Sequence, residues 1–165
     1  MIFKVRPLDW AALMAALVVL GAILLPITAC ACKKASPGTA CLSNLKHQAM
    51  AHLLYAGDHN ERFAQRDYWM DQIAPYVKDQ NILHDPEVPK GSYGYAFNAA
   101  LDKARSPADP DKVPLVYDSV NPIRNASDPF TSLPSGGRHP KEKPNRNNVA
   151  YADGHAKRLS IKRKQ

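Results

Sequence analysis

Four side chains could meet as a chemical site: His139, Asp153 and His155 near the C-terminal end, and Asp118 on a separate segment. Neutral imidazoles and carboxylates are ligands for divalent ions, and these would hold one if a sheet brought them together. The alternative is structural. Asp153-Gly154 supplies turn chemistry, with a side-chain acceptor on Asp and a Gly able to take positive φ, and His139 pins an incoming loop by a hydrogen bond. We favour the structural reading and leave any metal unassigned. The chain has no nucleophile elbow, phosphate loop or zinc-protease helix motif, so no enzymatic activity and no cofactor are expected. Asp58, Asn60 and Glu61 alternate loosely like calcium ligands, without the loop length and terminal bidentate Glu of an EF-hand.

These residues need elements to position them. Ala35-Ser36-Pro37-Gly38-Thr39 should interrupt any continuous helix, with Thr39 as N-cap of a new one. Leu42, Leu45, Ala49, Leu53 and Ala56 then follow at spacings of three and four, an apolar stripe that ends at Gly57. His52 borders that stripe and reads as a packing residue rather than a ligand. A second short helix is predicted over Asp67–Val77. Ten of the fourteen prolines fall between Pro86 and Pro144, which demands short extended pieces joined by turns. Tyr93, Tyr95 and Phe97 alternate within Ser92–Asn98, and Pro114–Asp118 forms a second strand. Asn148–Ala152, Asp153-Gly154 and His155–Ile161 read as a hairpin with a two-residue turn. That turn would pair Ala152 with His155 and Val149 with Arg158, which gives no clean apolar face. A bulge or longer turn would repair the register.

The 165 residues suffice for one ordinary domain, and their charge is uneven. Residues 138–165 hold nine Lys/Arg against Glu142 and Asp153, whereas residues 1–137 hold thirteen charges of each sign, so the net +7 lies at one end. This excludes a uniformly basic DNA-coating protein. At the other end, residues 10–32 carry no charge, and Trp10–Ile27 would form a helix of about 27 Å, against a bilayer core of roughly 30 Å. The segment reads as a retained anchor, a cleaved signal peptide, or a leader to a lipidated Cys30, since Ile27-Thr-Ala-Cys30 places small residues before Cys. Cys30, Cys32 and Cys41 are an odd set without Cys-x-x-Cys spacing, which supports neither a zinc ribbon nor a thioredoxin-like site.

Taken in order, the segments resemble a known family. Ala22-Ile-Leu-Leu-Pro26, Cys41-Leu-Ser-Asn-Leu-Lys46, Asp58-His-Asn-Glu-Arg-Phe63, Pro75-Tyr-Val-Lys78, Ser92-Tyr-Gly-Tyr95 and Leu115-Val-Tyr-Asp118 are similar to segments of prepilin-type, pseudopilin-like proteins with a C-terminal processing-associated H-X9-DG domain. Gly137-Arg-His139 and Asn148-Val-Ala-Tyr-Ala-Asp-Gly-His155 resemble the motif that names that domain. Three departures stand out. Family members usually open with Gly followed by Phe-Thr-Leu-Ile-Glu, where this chain has Lys4 and Val5-Arg-Pro-Leu-Asp9; Asp9 preserves an acid there, but no cleavage site is recognisable. His84-Asp85-Pro86 stands where the family often has Cys-Pro, which removes a disulfide partner for Cys41. Thirteen residues separate His139 from Asp153, four more than in the motif, with the surplus in Pro140–Arg146.

The resemblance implies an α+β, pilin-like fold: a long N-terminal membrane-embedded helix followed by a small antiparallel sheet domain. The expected organisation is a basic N-terminus over 1–9, a membrane helix over 10–32, a linker over 33–40 and a globular domain over 41–165. Within it, the H-X9-DG-type segment occupies about 137–160. The expected role is structural, in envelope assembly of the type IV pilus or type II secretion kind, at the inner membrane with the domain extracytoplasmic. Expected partners are the membrane, pilin-like subunits and an anionic envelope polymer rather than nucleic acid. The alternative is an anchored or lipidated domain that binds a metal ion or an anionic glycan.

Overall fold

Ser36 and Pro37 together start the principal helix. Proline lacks an N–H, which is no loss in a first turn whose N–H groups have no intrahelical acceptor. Ser36, in extended backbone, accepts from Thr39 N–H through its Oγ, and α1 runs from Pro37 to Asp58. The cap is therefore three residues earlier than the sequence suggested, because Pro37-Gly38 opens the helix instead of breaking it. α1 ends where His59 returns its N–H to Ala56 and the chain turns through positive φ at Asn60 and Glu61.

The computed structural model describes residues 10, 13–20, 22, 36–139 and 145–160, in two units, Met1–Lys34 and Ala35–Gln165. Described residues of the first unit (10, 13–20 and 22) are helical. Among the described residues no helix is long and apolar enough to cross a membrane. This corrects the expected pilin-like architecture with its membrane-embedded helix, and with it the inner-membrane location, the membrane and pilin-like partners, and the envelope-anchored roles built on that helix, glycan binding included. Asp9 and Cys30 lie outside the described residues, as does most of the segment 10–32.

In the second unit, α2 spans only Trp69–Ile73, and single 3-10 turns follow at Ala74–Tyr76 and Gln80–Leu83. The predicted helix over Asp67–Val77 thus divides, with Pro75 in the tighter turn. Five strands follow: β1 (Tyr95–Asn98), β2 (Pro114–Asp118), β3 (Ser127–Asp128), β4 (Arg146–Tyr151) and β5 (Ala156–Ser160). Their order is β3-β1-β2-β4-β5. All neighbours are antiparallel except β1 and β3, so the sheet is mixed where an antiparallel one was expected.

Register explains the two cores. Phe97, Val116, Ala150 and Ala156 are successive cross-strand partners and face α1, joined by Leu45, Trp69 and Ile73. Ala96, Tyr117 and Val149 occupy the opposite face, where Tyr151, Phe130 and Leu133 cover them. The β2–β4 register slips between Pro114 and Val116, and Leu115 joins the helix-side core. The final hairpin is one residue longer than the predicted turn: Gly154 N–H bonds Tyr151 O, and Tyr151 N–H bonds His155 O. Ala150 therefore pairs with Ala156 and Val149 with Lys157, which restores the two-sided pattern that a two-residue turn would have broken.

Gly154 is required by its backbone. Its φ is +91°, and a Cβ there would stand 2.9 Å from Leu53 Cδ1 on α1. Gly154→Ala is expected to lower stability by about 1–2 kcal/mol, read from urea unfolding; an unchanged midpoint would contradict this turn geometry.

Candidate functional site

The inward side of α1 is not the stripe that hydrophobicity alone suggests. Cys41, Leu45, Gln48, Ala49 and His52 are fully buried, whereas Leu42 and Leu53 are only half-buried. Rotating the helix this way brings three polar side chains into the interior. Gln48 Nε2 donates to Ile82 O at 2.7 Å, and Cys41 opens a polar cluster at the N-terminal end of the helix.

In that cluster the Cys41 thiol donates to Asp85 Oδ1 at 3.0 Å, and the same oxygen accepts Glu87 N–H at 2.9 Å. Asp85 Oδ2 lies 3.1 Å from Arg138 Nε, in an ion pair whose carboxylate is fully buried. Arg138 also donates to Ser119 O, so it ties the 84–86 loop to the end of β2. The next residue, His139, places Nε2 3.2 Å from Asp118 Oδ2. Asn148 completes the group: its N–H donates to Asp118 Oδ2 at 2.6 Å, and its Nδ2 lies 2.7 Å from His139 Nε2 and 3.3 Å from Gly38 O. One cluster thus joins α1, the 84–86 loop, β2, the 134–139 segment and β4.

Its electrostatics are those of a closed interior. Burial raises the Asp118 carboxyl above its ordinary value, a shift that the bonds to His139 and Asn148 N–H partly offset and nearby Asp85 reinforces. Burial also pushes the Cys41 thiol far up, with Asp85 adding to the shift, which disfavours the thiolate needed for nucleophilic or redox chemistry. The Tyr95 hydroxyl is raised by burial as well, and then by Cys41 and Asp85.

Asp153 and His155 sit elsewhere, at the hairpin tip. Asp153 Oδ1 accepts His155 N–H at 3.0 Å and lies 2.6 Å from His155 Nδ1, while the imidazole stacks on Tyr151 with centroids 4.4 Å apart. Partial burial raises the Asp153 carboxyl, but the His155 backbone and ring more than offset it and leave it below its ordinary value. The four residues singled out in the sequence therefore form two pairs: Asp118 with His139 in the interior, and Asp153 with His155 at the surface. Among the described residues no group of three or more His, Cys, Asp or Glu could hold a metal ion, which corrects the metal-binding alternative.

Asp85, Arg138, Asn147 and Asn148 are the members that sequence reasoning missed. Asn147 Oδ1 accepts Arg138 N–H at 2.7 Å and its Nδ2 donates to Pro134 O at 2.9 Å, fastening the 134–139 segment to β4. A signal for the two amides was present: adjacent Asn residues are poor strand formers, and Asn148 opened a predicted strand with Asn147 just before it.

Comparison with known proteins finds no match: no family model, no curated protein and no solved structure matches this chain.

The two histidine pairs should respond differently to truncation. His139→Ala is expected to cost about 3 kcal/mol, because it strands buried Asp118 and Asn148. His155→Ala, at an exposed pair screened by solvent, should stay within about 0.5 kcal/mol. Equal losses in denaturant titrations of the two variants would refute this division.

Proposed function

We propose that residues 35–165 form a non-catalytic domain related to the H-X9-DG type, in which the motif histidine works as an internal fastener. The observation that carries this reading is the burial of His139: 2% of its surface is exposed, and Asp118 and Asn148 occupy its Nε2. A histidine so enclosed cannot meet a substrate without opening the fold. The Cys41–Asp85 contact supports the relationship. Asp85 stands where the resembling proteins often carry cysteine, and it is the residue that the Cys41 sulfur touches.

Two experiments test the proposal. Full-length wild type and His139→Ala are assayed against generic ester, phosphate and peptide substrates; no turnover by either is expected, together with a lowered thermal midpoint for the variant. Turnover by the wild type that His139→Ala abolishes would overturn the non-catalytic reading. Separately, Asp85→Cys is expected to oxidise with Cys41, read as two fewer alkylatable thiols than in the reduced protein. Persistence of both thiols under oxidant would count against the relationship.

A further inference from the structure

Helix α1 carries a second buried histidine that the polar cluster does not use. His52 has no exposed surface and lies inside the helix-side core. Its ring stacks against Phe97 of β1, with centroids 5.1 Å apart and planes at 14°, and against Trp69 of α2 at 5.6 Å and 23°. Phe63 meets it edge-on at 6.4 Å. Neither Nδ1 nor Nε2 has a hydrogen-bond partner. A neutral imidazole tolerates this setting as a flat, nearly apolar ring. An imidazolium does not, because it carries two in-plane N–H donors. The Phe97 and Trp69 rings, themselves stacked with centroids 6.2 Å apart, attract positive charge but offer those donors no acceptor.

We propose that His52 is an acid-sensing residue whose protonation separates α1 from α2 and the inner face of the sheet.

Each element packed here turns its charges away. On α1, Lys46, His47, Asp58 and His59 are exposed. Asp71 of α2 is held by Arg124 at 2.6 Å on the surface. Tyr95 of β1 accepts from Asn44 through its hydroxyl. After α1, Glu61 and Arg62 are exposed. Burial is the sole cause that lowers His52 from 6.5 to about 3, so no neighbouring charge compensates or assists it.

The sign follows from linkage. Above pH 6.5 His52 is neutral whether the chain is folded or unfolded, and it adds no pH dependence. Between 6.5 and about 3 the unfolded chain takes up a proton that the folded one refuses, so stability falls with pH. One proton is linked, and the folding equilibrium loses about tenfold per pH unit in that interval. Asp71, Asp128 and Asp153 lie below their ordinary 3.8, and their contributions are lost only under more acidic conditions. Asp118 is raised, so its protonation opposes the loss. The stability lost between pH 6.5 and about 3 through this one proton is therefore assigned to His52.

The test is urea unfolding of the full chain between pH 7 and 4, comparing wild type with His52→Leu, a replacement of similar volume. The expected result is a steeper loss in the wild type, the two slopes differing by close to one proton. Equal slopes would overturn the proposal. Should His52→Leu not fold, carbon-13 NMR of the wild-type histidine rings decides alone. The His52 signal should remain neutral for as long as native signals of Leu45 and Val116 persist, and appear protonated only in the opened species. A folded protein with protonated His52 at pH 5 would contradict the assignment.

Discussion

Two carboxylates with no access to water, Asp85 and Asp118, impose the constraint on which the domain is arranged. A buried carboxylate is tolerable only with donors and opposite charge around it, and no single element could supply them. Arg138, His139, Cys41 and the backbone N–H of Asn148 come from three separate regions to do so. Meeting this requirement brings the 134–139 segment against the ends of β2 and β4, and it fixes which face of α1 turns inward.

The remaining packing follows from that orientation. With Cys41 directed at Asp85, Gln48 reaches Ile82 O and His52 packs against the Trp69 and Phe97 rings. Trp69 in turn donates to Ala126 O at 3.0 Å, which links the helix-side core to the segment that covers the opposite face of the sheet. The hairpin packs on the same helix, where Gly154 stands against Leu53. Polar and apolar interiors are thus consecutive stretches of one helix face, and the two buried histidines have opposite settings. His139 is surrounded by partners; His52 is surrounded by rings.

Much of the framework was legible in the sequence, and the exceptions have physical reasons. β2 stands at Pro114–Asp118 where a second strand was expected, and the Asp153-Gly154 turn was visible from its residue types. Its length was not, because Asp-Gly suits both a two-residue turn and the αL position of a longer one. The helix start was misplaced because Pro37-Gly38 reads as a break unless Ser36 is recognised as the cap. The inward face of α1 was mistaken by about one position, since counting apolar residues cannot credit Cys41, Gln48 and His52 with partners supplied by distant loops. The cluster itself was half legible. His139 and Asp118 were singled out, but Asp85, Arg138 and Asn148 join them only through tertiary contacts that no local pattern encodes. Sequence apolarity at residues 10–32 suggested a spanning helix, and among the described residues none has the necessary length and apolarity.

The Asp118–His139–Asn148 group opens only when the whole domain does. The backbone N–H of Asn148, which donates to Asp118 Oδ2 at 2.6 Å, reports on it directly. Native-state hydrogen exchange of that amide at pH 7, set beside the stability from urea unfolding, gives the answer. Exchange governed by the global unfolding free energy is expected. Exchange through a far cheaper local opening would show that the cluster is a loose end of the structure and would contradict the claim.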